Sequence, residues 1–257
     1  MIIHTYENSG RTEACAKYLE TVGCICGIEE AVILPIPSTK DSRLLSGTDI
    51  PLSDVLKMAG PRRVIVGYGL PRELALLIKE TGAKVYDASL DEEFLLGNAD
   101  LTAIATLGII IGSEKRAPKD LLVGIVGYGR IGKRLARLLL FLGAGVRIYT
   151  SNDSTRLELC EFGVASAMST SEADLSGLDI LINTAPAVIF NTEGGTFPGG
   201  LRVIDLASGE NFPGLMDVER YPSIPAKMFP YSAGRMLGES CERYLRGMEI
   251  QSGEVIY

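Results

Sequence analysis

The residues with the clearest chemical meaning are Gly127, Gly129 and Gly132, which follow an apolar run at 123–126. A helical pattern of leucines starts directly after them, and a second short strand pattern follows at 146–149. Between a strand and a helix, glycines at this spacing permit a tight turn, a close approach of backbone to a pyrophosphate, and close packing of the helix on the strand. Backbone N–H groups and the helix dipole then face the phosphates. The pattern predicts a dinucleotide site formed by Gly127, Tyr128, Gly129, Arg130, Ile131 and Gly132.

A second glycine pair, Gly67 and Gly69, also follows an apolar strand pattern, at 63–66. Here Arg72 occupies the position at which a dinucleotide turn requires its third glycine. We therefore predict an ordinary strand-to-helix turn at this place.

The residues after the strand pattern at 146–149 bear on the choice of cofactor. In NAD-binding folds, an Asp or Glu about 20 residues after the glycines binds the ribose hydroxyls. The residues in this region are Thr150, Ser151, Asn152 and Asp153. A carboxylate would repel a 2′-phosphate, whereas hydroxyl and amide groups can donate hydrogen bonds to it, and Arg156 or Arg130 could add positive charge. The expected cofactor is NADP, and Asp153 keeps NAD open.

Polar residues follow two further apolar strand patterns, at 179–182 and 201–204. In an open parallel sheet, ligands bind beyond the carboxyl ends of the strands. These two ends are therefore predicted to contribute to the site. The expected cofactor contacts are Thr184, Ala185, Pro186 and Ala207, and the candidate catalytic residues are Asp205 and Ser208.

The elements that position these residues alternate between strand and helix patterns along the chain. Before the glycine turn, strand patterns lie at 1–6, 31–34, 63–66 and 84–87, and helical patterns lie at 10–22, 53–59 and 71–81. After it, the strand patterns named above are accompanied by helical patterns at 155–162 and 232–246. Such alternation is typical of parallel α/β domains. We predict a Rossmann doubly wound parallel sheet plus a smaller flavodoxin-like α/β domain.

The chain divides into three predicted segments. Residues 1–96 form the smaller, substrate-type α/β domain, and 97–231 form the dinucleotide-binding domain. Residues 232–257 form a helix that packs back between the domains. A strongly apolar helix at 98–111 should connect the two domains.

Composition limits the classes of partner. The chain of 257 residues has a net charge of -7, which argues against nucleic acid, because nucleic-acid binding needs a basic face. No apolar run is expected to reach membrane-spanning length, and no signal peptide is recognisable at the start. Five cysteines without C-x-x-C spacing and one histidine predict no metal site and a reduced, cytoplasmic protein.

The order of the motifs resembles that of a known family. The glycine motif and the two-domain order resemble the D-2-hydroxyacid dehydrogenase superfamily, and the closer resemblance is to the A subunit of dipicolinate synthase. The shared features, in the same order, are segment 31–37, the pair Asn98 and Thr102, the glycine motif, and segments 183–186, 205–208 and 232–234. The resemblance spans nearly the whole chain.

This resemblance implies NADP-linked oxidation of a dihydrodipicolinate-type compound, a small substrate in the interdomain cleft, with a flavoprotein-like protein as partner. It implies substrate contacts by Asn98, Thr102 and Ser232. The catalytic Arg and His of the related dehydrogenases fall on Ser208 and Tyr231 here. A phenol stays protonated at neutral pH, so Tyr231 could donate a proton but is a poor base. The alternative is an aromatic ring that only closes the core.

Two functions remain open from the sequence. The first is an NADP(H)-dependent oxidoreductase, which the retained strand-end motifs favour. The second is a dinucleotide-binding protein without its own chemistry, either a sensor or a component that needs a partner. The replaced Arg and His favour this second function. In both cases we expect a homo-oligomer.

Overall fold

The computed structural model describes residues 1–6, 9–161, 167–168, 174–186, 197–209, 211–212 and 217–252. The chain forms two compact units, one made of Met1–Asn98 with Ala226–Tyr257 and the other of Ala99–Pro225. The C-terminal segment therefore groups with the first unit, whereas the sequence patterns predicted 232–257 as a separate segment. The end of the helix predicted at 155–162 lies outside the described residues.

The first unit is a parallel α/β layer structure. Its strands are β1 (Ile2–Thr5), β2 (Glu30–Ile33), β3 (Arg63–Gly67) and β4 (Lys84–Asp87), paired in the order β1-β2-β3-β4. Its helices are α1 (Gly10–Val22), α2 (Arg72–Glu80), the start of α3 (Glu92–Ser113) and α7 (Pro230–Ser252), with 3-10 turns at Leu52–Met58 and Ala88–Leu90. The predicted helix at 53–59 is thus a 3-10 turn. Pro51 precedes it without a side-chain cap.

The strand order of this unit is a shortened flavodoxin order. Helices α1 and α7 pack on the sheet face that carries Ala31 and Ile33, while α2 and the first 3-10 turn pack on the face that carries Val32 and Ile65. The connection from β1 to β2 through α1 and the connection from β3 to β4 through α2 advance in the same direction across the sheet, but their helices lie on opposite faces. The two connections therefore differ in handedness, whereas right-handed crossovers are the rule in parallel sheets. If the second strand is removed from the flavodoxin order 2-1-3-4-5, the order 1-3-4-5 remains, which corresponds to β1-β2-β3-β4 here. The same removal explains why α1 lies on the opposite face from α2. The predicted flavodoxin-like sheet is therefore present with one strand fewer.

Helices α1 and α7 approach each other closely because α7 carries small residues at the contact. A Cβ atom on Gly234 would collide with the backbone carbonyl of Arg11 and lie 2.6 Å from the Cβ of Ala14. One turn later, a Cβ on Gly238 would lie 2.6 Å from the ring of Tyr18. Position 234 therefore requires glycine, because the α1 backbone that a Cβ would meet cannot rotate out of the way as a flexible side chain could.

Replacing Gly234 with alanine should lower the free energy of unfolding by about 3 kcal/mol, because overpacking forces the two helices apart. The matched control is Gly247→Ala in the same helix, where a Cβ meets nothing within 4 Å. That change should raise stability by up to about 1 kcal/mol, since alanine favours helix over glycine. Urea unfolding of both variants is the measurement. Equal midpoints would contradict the close packing of α1 on α7.

The second unit has the Rossmann architecture. Its strands are β5 (Leu122–Val126), β6 (Gly145–Tyr149), β7 (Ala167–Met168), β8 (Ile180–Asn183), β9 (Arg202–Asp205) and β10 (Val218–Arg220), all parallel. They pair as β7-β6-β5-β8-β9-β10, which is the order 3-2-1-4-5-6 of a doubly wound dinucleotide fold. Helices α4 (Arg130–Phe141) and α5 (Asp153–Glu161) connect the first strands, and α6 (Ile224–Met228) follows β10. The predicted fold class is confirmed, although β7, β10 and α6 were missed.

Helix α3 is longer than the helix predicted at 98–111. The carboxylate of Asp91 accepts a hydrogen bond from the backbone N–H of Phe94 at 3.1 Å and so starts the helix earlier. Asn98 consequently lies inside α3, not at its start. The most apolar 18 residues of α3 have a mean hydropathy of 1.8, which makes the helix long and apolar enough to cross a membrane by length and composition alone. The expectation that no run reaches this length was wrong, although core helices of soluble proteins meet the same criterion.

Candidate dinucleotide site

The predicted glycine turn begins at the carboxyl end of β5, the strand from which the sheet order extends in both directions. Gly127 has φ of +87°, a conformation that favours glycine, and its N–H donates to the carbonyl of Tyr149 at 2.8 Å. A Cβ on Gly127 would lie 2.9 Å from Oγ1 of Thr184 and 3.2 Å from the Cβ of Ala185. The turn therefore needs glycine here for both its backbone angle and its space.

The other two glycines of the motif differ in what they require. A Cβ on Gly132 would collide with the carbonyl oxygen of Gly127 and lie 3.3 Å from Oγ1 of Thr184, so close packing of α4 on the turn requires glycine. Gly129 has φ of -81° and ψ of -160°, which any residue adopts. A Cβ there would meet nothing within 4 Å. The protein itself therefore has no need of glycine at Gly129, whereas a pyrophosphate passing over the turn would need one.

Thr184 joins the ends of β5 and β8. Its hydroxyl and its backbone N–H both donate to the carbonyl of Val126, at 2.8 and 2.9 Å. These two strands are the neighbours at which the strand order reverses, and dinucleotides bind in the crevice at that point. Ala185 is half-buried and Pro186 is exposed just beyond the strand end. Thr184 and Ala185 lie beside the glycine turn, and Pro186 directly follows Ala185.

Buried polar side chains hold the loops after β8 and β9. Asp205 is 2% exposed and accepts hydrogen bonds from the side-chain amides of Asn183 and Asn211 and from the backbone N–H of Ala207, at 2.9 to 3.3 Å. Asn183 in turn accepts from the N–H of Ala185 at 3.1 Å. Both oxygens of Asp205 are thus engaged by protein donors, which favours a positioning role over direct chemistry.

Asn211 was not identified from the sequence, because no local pattern marks a buried asparagine in a polar loop. Its amide also donates to the carbonyl of Ser208 at 3.4 Å. Ser208 itself is exposed beyond β9. The cluster therefore fixes the backbone on which Ser208 is presented.

The end of β6 carries the residues that bear on cofactor choice. Thr150 is nearly buried, and its Oγ1 accepts the backbone N–H of Asn152 at 3.2 Å. The side-chain oxygen of Asn152 accepts from the N–H of Thr155 at 3.1 Å and caps α5. Nη1 of Arg156 donates to the carbonyl of Thr150 at 3.0 Å, and the same guanidinium pairs with Asp153. A cation therefore stands at the strand end, with Ser151 exposed beside it.

The second glycine pair forms a turn whose amides are already satisfied. The carboxylate of Asp87, at the end of β4, accepts the N–H groups of Gly69 and Leu70 at 2.9 and 2.8 Å. A protein carboxylate thus occupies the position that a phosphate would take. The predicted strand-to-helix turn is therefore present, and these two N–H groups are already bound by a protein side chain.

The remaining predicted residues lie in both units. Tyr231 is 65% exposed in the first turn of α7 and lines a cavity of about 360 Å³ with Lys17, Tyr18 and Arg235. An aromatic ring that only closes the core, the alternative from the sequence, would not be exposed to this extent. Ser232 is exposed next to Tyr231, and Thr102, by contrast, is 3% exposed inside α3.

The turn, the strand order and the strand-end residues together define unit Ala99–Pro225 as a Rossmann-type dinucleotide-binding fold. No family model matches the chain. The chain is similar to the A subunit of dipicolinate synthase from Bacillus subtilis (strain 168), with 21% identity over 89% of this chain and 84% of that protein. The resemblance inferred from the motifs is thereby confirmed.

Solved structures show the same fold along nearly the whole chain. The crystal structure of the dipicolinate synthase A subunit from Bacillus halodurans matches with a TM-score of 0.70, 22% identity, and 95% and 96% of the two chains covered. The corresponding protein from Bacillus subtilis matches with a TM-score of 0.73, 20% identity and coverage of 97% and 96%. A transhydrogenase from Sinorhizobium meliloti matches with a TM-score of 0.62, 16% identity and coverage of 96% and 94%.

Proposed function

We propose that this protein is a cytoplasmic, NADP(H)-dependent oxidoreductase that acts on a small cyclic dicarboxylate. The observation that carries the proposal is Gly129, which the fold does not need as glycine but a bound pyrophosphate would. The similarity to one component of dipicolinate synthase supports the substrate class, because dipicolinate is a cyclic dicarboxylate. Oxidation of such a ring transfers a hydride to NADP⁺ and releases a proton. Since that relative is named as one subunit of its enzyme, we also propose a partner protein for this chain.

Arg156 is the residue that we assign to the 2′-phosphate. Its guanidinium is held at the end of β6 by the Thr150 carbonyl, where the adenosine ribose of a Rossmann cofactor lies. Arg156→Gln should weaken NADPH binding about tenfold, since a charge-assisted hydrogen bond contributes about 1.5–3 kcal/mol, and should leave NADH binding unchanged. Arg137→Gln, an exposed arginine on α4, is the control. Calorimetric titration with both cofactors is the measurement, and equal losses for NADPH and NADH would contradict the assignment.

The burial and identity of the candidate catalytic residues favour a second function. Asp205 is buried and engaged by protein donors, and Ser208 and Tyr231 stand where related dehydrogenases carry Arg and His. The alternative is therefore a dinucleotide-binding protein without its own chemistry.

An assay of NADPH absorbance with a cyclic imine dicarboxylate separates the two functions. An enzyme should turn over at about 1 per second or faster. In the reverse direction, in which the imine would take a hydride from NADPH and a proton from the protein, donation of that proton by Tyr231 predicts that Tyr231→Phe reduces the rate about a hundredfold or more with cofactor affinity unchanged. Cofactor binding without turnover, alone or with a partner protein added, would favour the non-catalytic function.

A further inference from the structure

A large cavity lies along the edge of the sheet in the first unit. Val85 and Tyr86 of the edge strand β4 both line it, although consecutive side chains of a strand point to opposite faces. Helix α2 forms one wall, and residues 89–93 with part of α7 form the other. The volume is about 870 Å³, within the range of about 300–1,000 Å³ that is usual for small-molecule sites. We call this space the β4 cavity.

Much of the cavity lining is apolar, and part of it is open to solvent. Leu76 of α2 is 51% exposed, and Leu90 on the opposite wall is 85% exposed. Val85 and the rings of Tyr86 and Tyr244 extend the apolar lining, and the two ring centres lie 5.4 Å apart. An apolar group that displaces water from such a concave surface gains free energy. The cavity is therefore suited to a ligand with an apolar body.

The carboxylates of the cavity are already bound by groups of the protein. Asp87 accepts the two backbone N–H groups of the second glycine turn. The guanidinium of Arg243 pairs with Asp91 at 3.1 Å and with Glu93 at 3.0 Å. Glu92 is not free either. The protein therefore supplies partners for its own acidic groups in the cavity, and Arg243 offsets part of their charge.

Two cations on α2 are, by contrast, available to a ligand. Arg72 and Lys79 line the cavity from one face of the helix, about 10 Å apart along its axis, and Leu76 lies between them. Within the described part of the chain, neither cation has a hydrogen-bond or ion-pair partner. Guanidinium and ammonium groups form their strongest hydrogen bonds with anions such as carboxylates. The available polar groups of the cavity therefore favour an anionic ligand.

From this arrangement we infer that the β4 cavity binds a small amphipathic carboxylate, an acid with an apolar chain or ring. The carboxylate pairs with the cations of α2, and the apolar body lies against Leu76 and the opposite wall. A concave space of this kind encloses a free molecule, whereas a flat lipid surface would meet only its rim. Among the described residues, those that line the cavity all belong to the first unit, and none is a predicted dinucleotide, substrate or catalytic residue. The inference is therefore independent of the proposed function.

Calorimetric titration of the full chain with octanoate, 1-octanol and octylamine tests the inference. The three probes share one apolar chain and differ only in the head group, which is an anion, a neutral hydroxyl or a cation. Octanoate should bind once per chain with a Kd of about 1 mM or tighter. The other two probes should bind at least about tenfold more weakly, because they cannot accept charge-assisted hydrogen bonds from the cations of α2.

A double variant tests the role of the two cations. Arg72→Gln/Lys79→Gln should weaken octanoate binding at least about tenfold. The matched control, Arg43→Gln/Lys84→Gln, removes the same two residue types at exposed positions of the first unit outside the cavity, and it should bind octanoate like wild type. All four side chains are exposed, so urea unfolding of both variants should match that of wild type.

Two neighbouring leucines of α2 test the apolar contact. Leu76→Gln should weaken the binding of octanoate about fivefold or more, because it removes apolar surface from the wall of the cavity. Leu77 is 47% exposed and lies at the next position of the helix, outside the cavity lining. Leu77→Gln should therefore leave octanoate binding unchanged.

Several results would overturn the inference. These are octanoate binding weaker than about 1 mM, octylamine binding as tight as that of octanoate, octanoate binding that Arg72→Gln/Lys79→Gln leaves unchanged, and equal weakening by Leu76→Gln and Leu77→Gln. Flotation with vesicles of anionic phospholipid reports on the other source of an amphipathic anion. Wild-type protein that floats with the vesicles, and that loses flotation equally in both leucine variants, would assign these leucines to a lipid surface instead.

Discussion

Gly132→Ala should lower both the stability of the protein and its affinity for a dinucleotide. The added Cβ collides with the backbone carbonyl of Gly127 and approaches Oγ1 of Thr184, so either the turn or the start of α4 must move. We expect a loss of about 2–3 kcal/mol in the free energy of unfolding, the usual cost of overpacking. Because the displaced turn no longer presents its N–H groups to a phosphate, dinucleotide affinity should fall at least about a hundredfold.

Urea unfolding and calorimetric titration measure the two effects of Gly132→Ala on the same preparation. Gly247→Ala, in open space on α7, is the control for handling a glycine-to-alanine change. If Gly132→Ala unfolded at the wild-type urea concentration, the close contact between α4 and the turn would be wrong. If it also bound dinucleotide normally, the turn would have no part in binding.

Gly129→Val should weaken dinucleotide binding without lowering the stability of the fold. Valine can adopt the backbone angles of Gly129, and its Cβ meets nothing within 4 Å in the protein. The free energy of unfolding should therefore change by no more than about 0.5 kcal/mol. The side chain would stand where the pyrophosphate must approach the backbone, so dinucleotide affinity should fall at least about a hundredfold. A stable variant that binds as tightly as wild type would contradict the predicted path of the pyrophosphate.

The parts of the fold that the sequence predicted are those encoded by local pattern. An apolar run, the glycines after it and the leucine periodicity of α4 lie within a few residues of one another, so the turn at Gly127 could be identified directly. By contrast, β7 spans Ala167–Met168 and β10 spans Val218–Arg220. Segments this short show neither alternation nor periodicity, and only the neighbouring strands of the sheet make them strands.

The candidate site residues also divide into those that a local pattern marks and those that it does not. Thr184 and Asp205 were identified because they end apolar strands, but the sequence could not show that Asp205 is buried beneath Asn183 and Asn211. The described residues of the first unit form one strand fewer than a flavodoxin sheet, and this was equally invisible, because it leaves no trace in the patterns of the four strands. The early start of α3 depends on a single capping contact by Asp91, which competes with other starts of similar propensity. Contacts between different strand ends decide the burial of Asp205, whereas a contact over only three residues decides the start of α3.

The most direct test of the central claim is calorimetric titration of the wild-type chain with NADPH and with NADH, repeated on Gly129→Val. The account predicts that wild type binds one dinucleotide per chain, that NADPH binds more tightly than NADH, and that Gly129→Val stays folded and binds neither measurably. A wild-type chain that binds neither cofactor at about 1 mM, corresponding to a binding free energy weaker than about -4 kcal/mol, would contradict it. In that case the glycine turn would serve only the packing of α4 on β5.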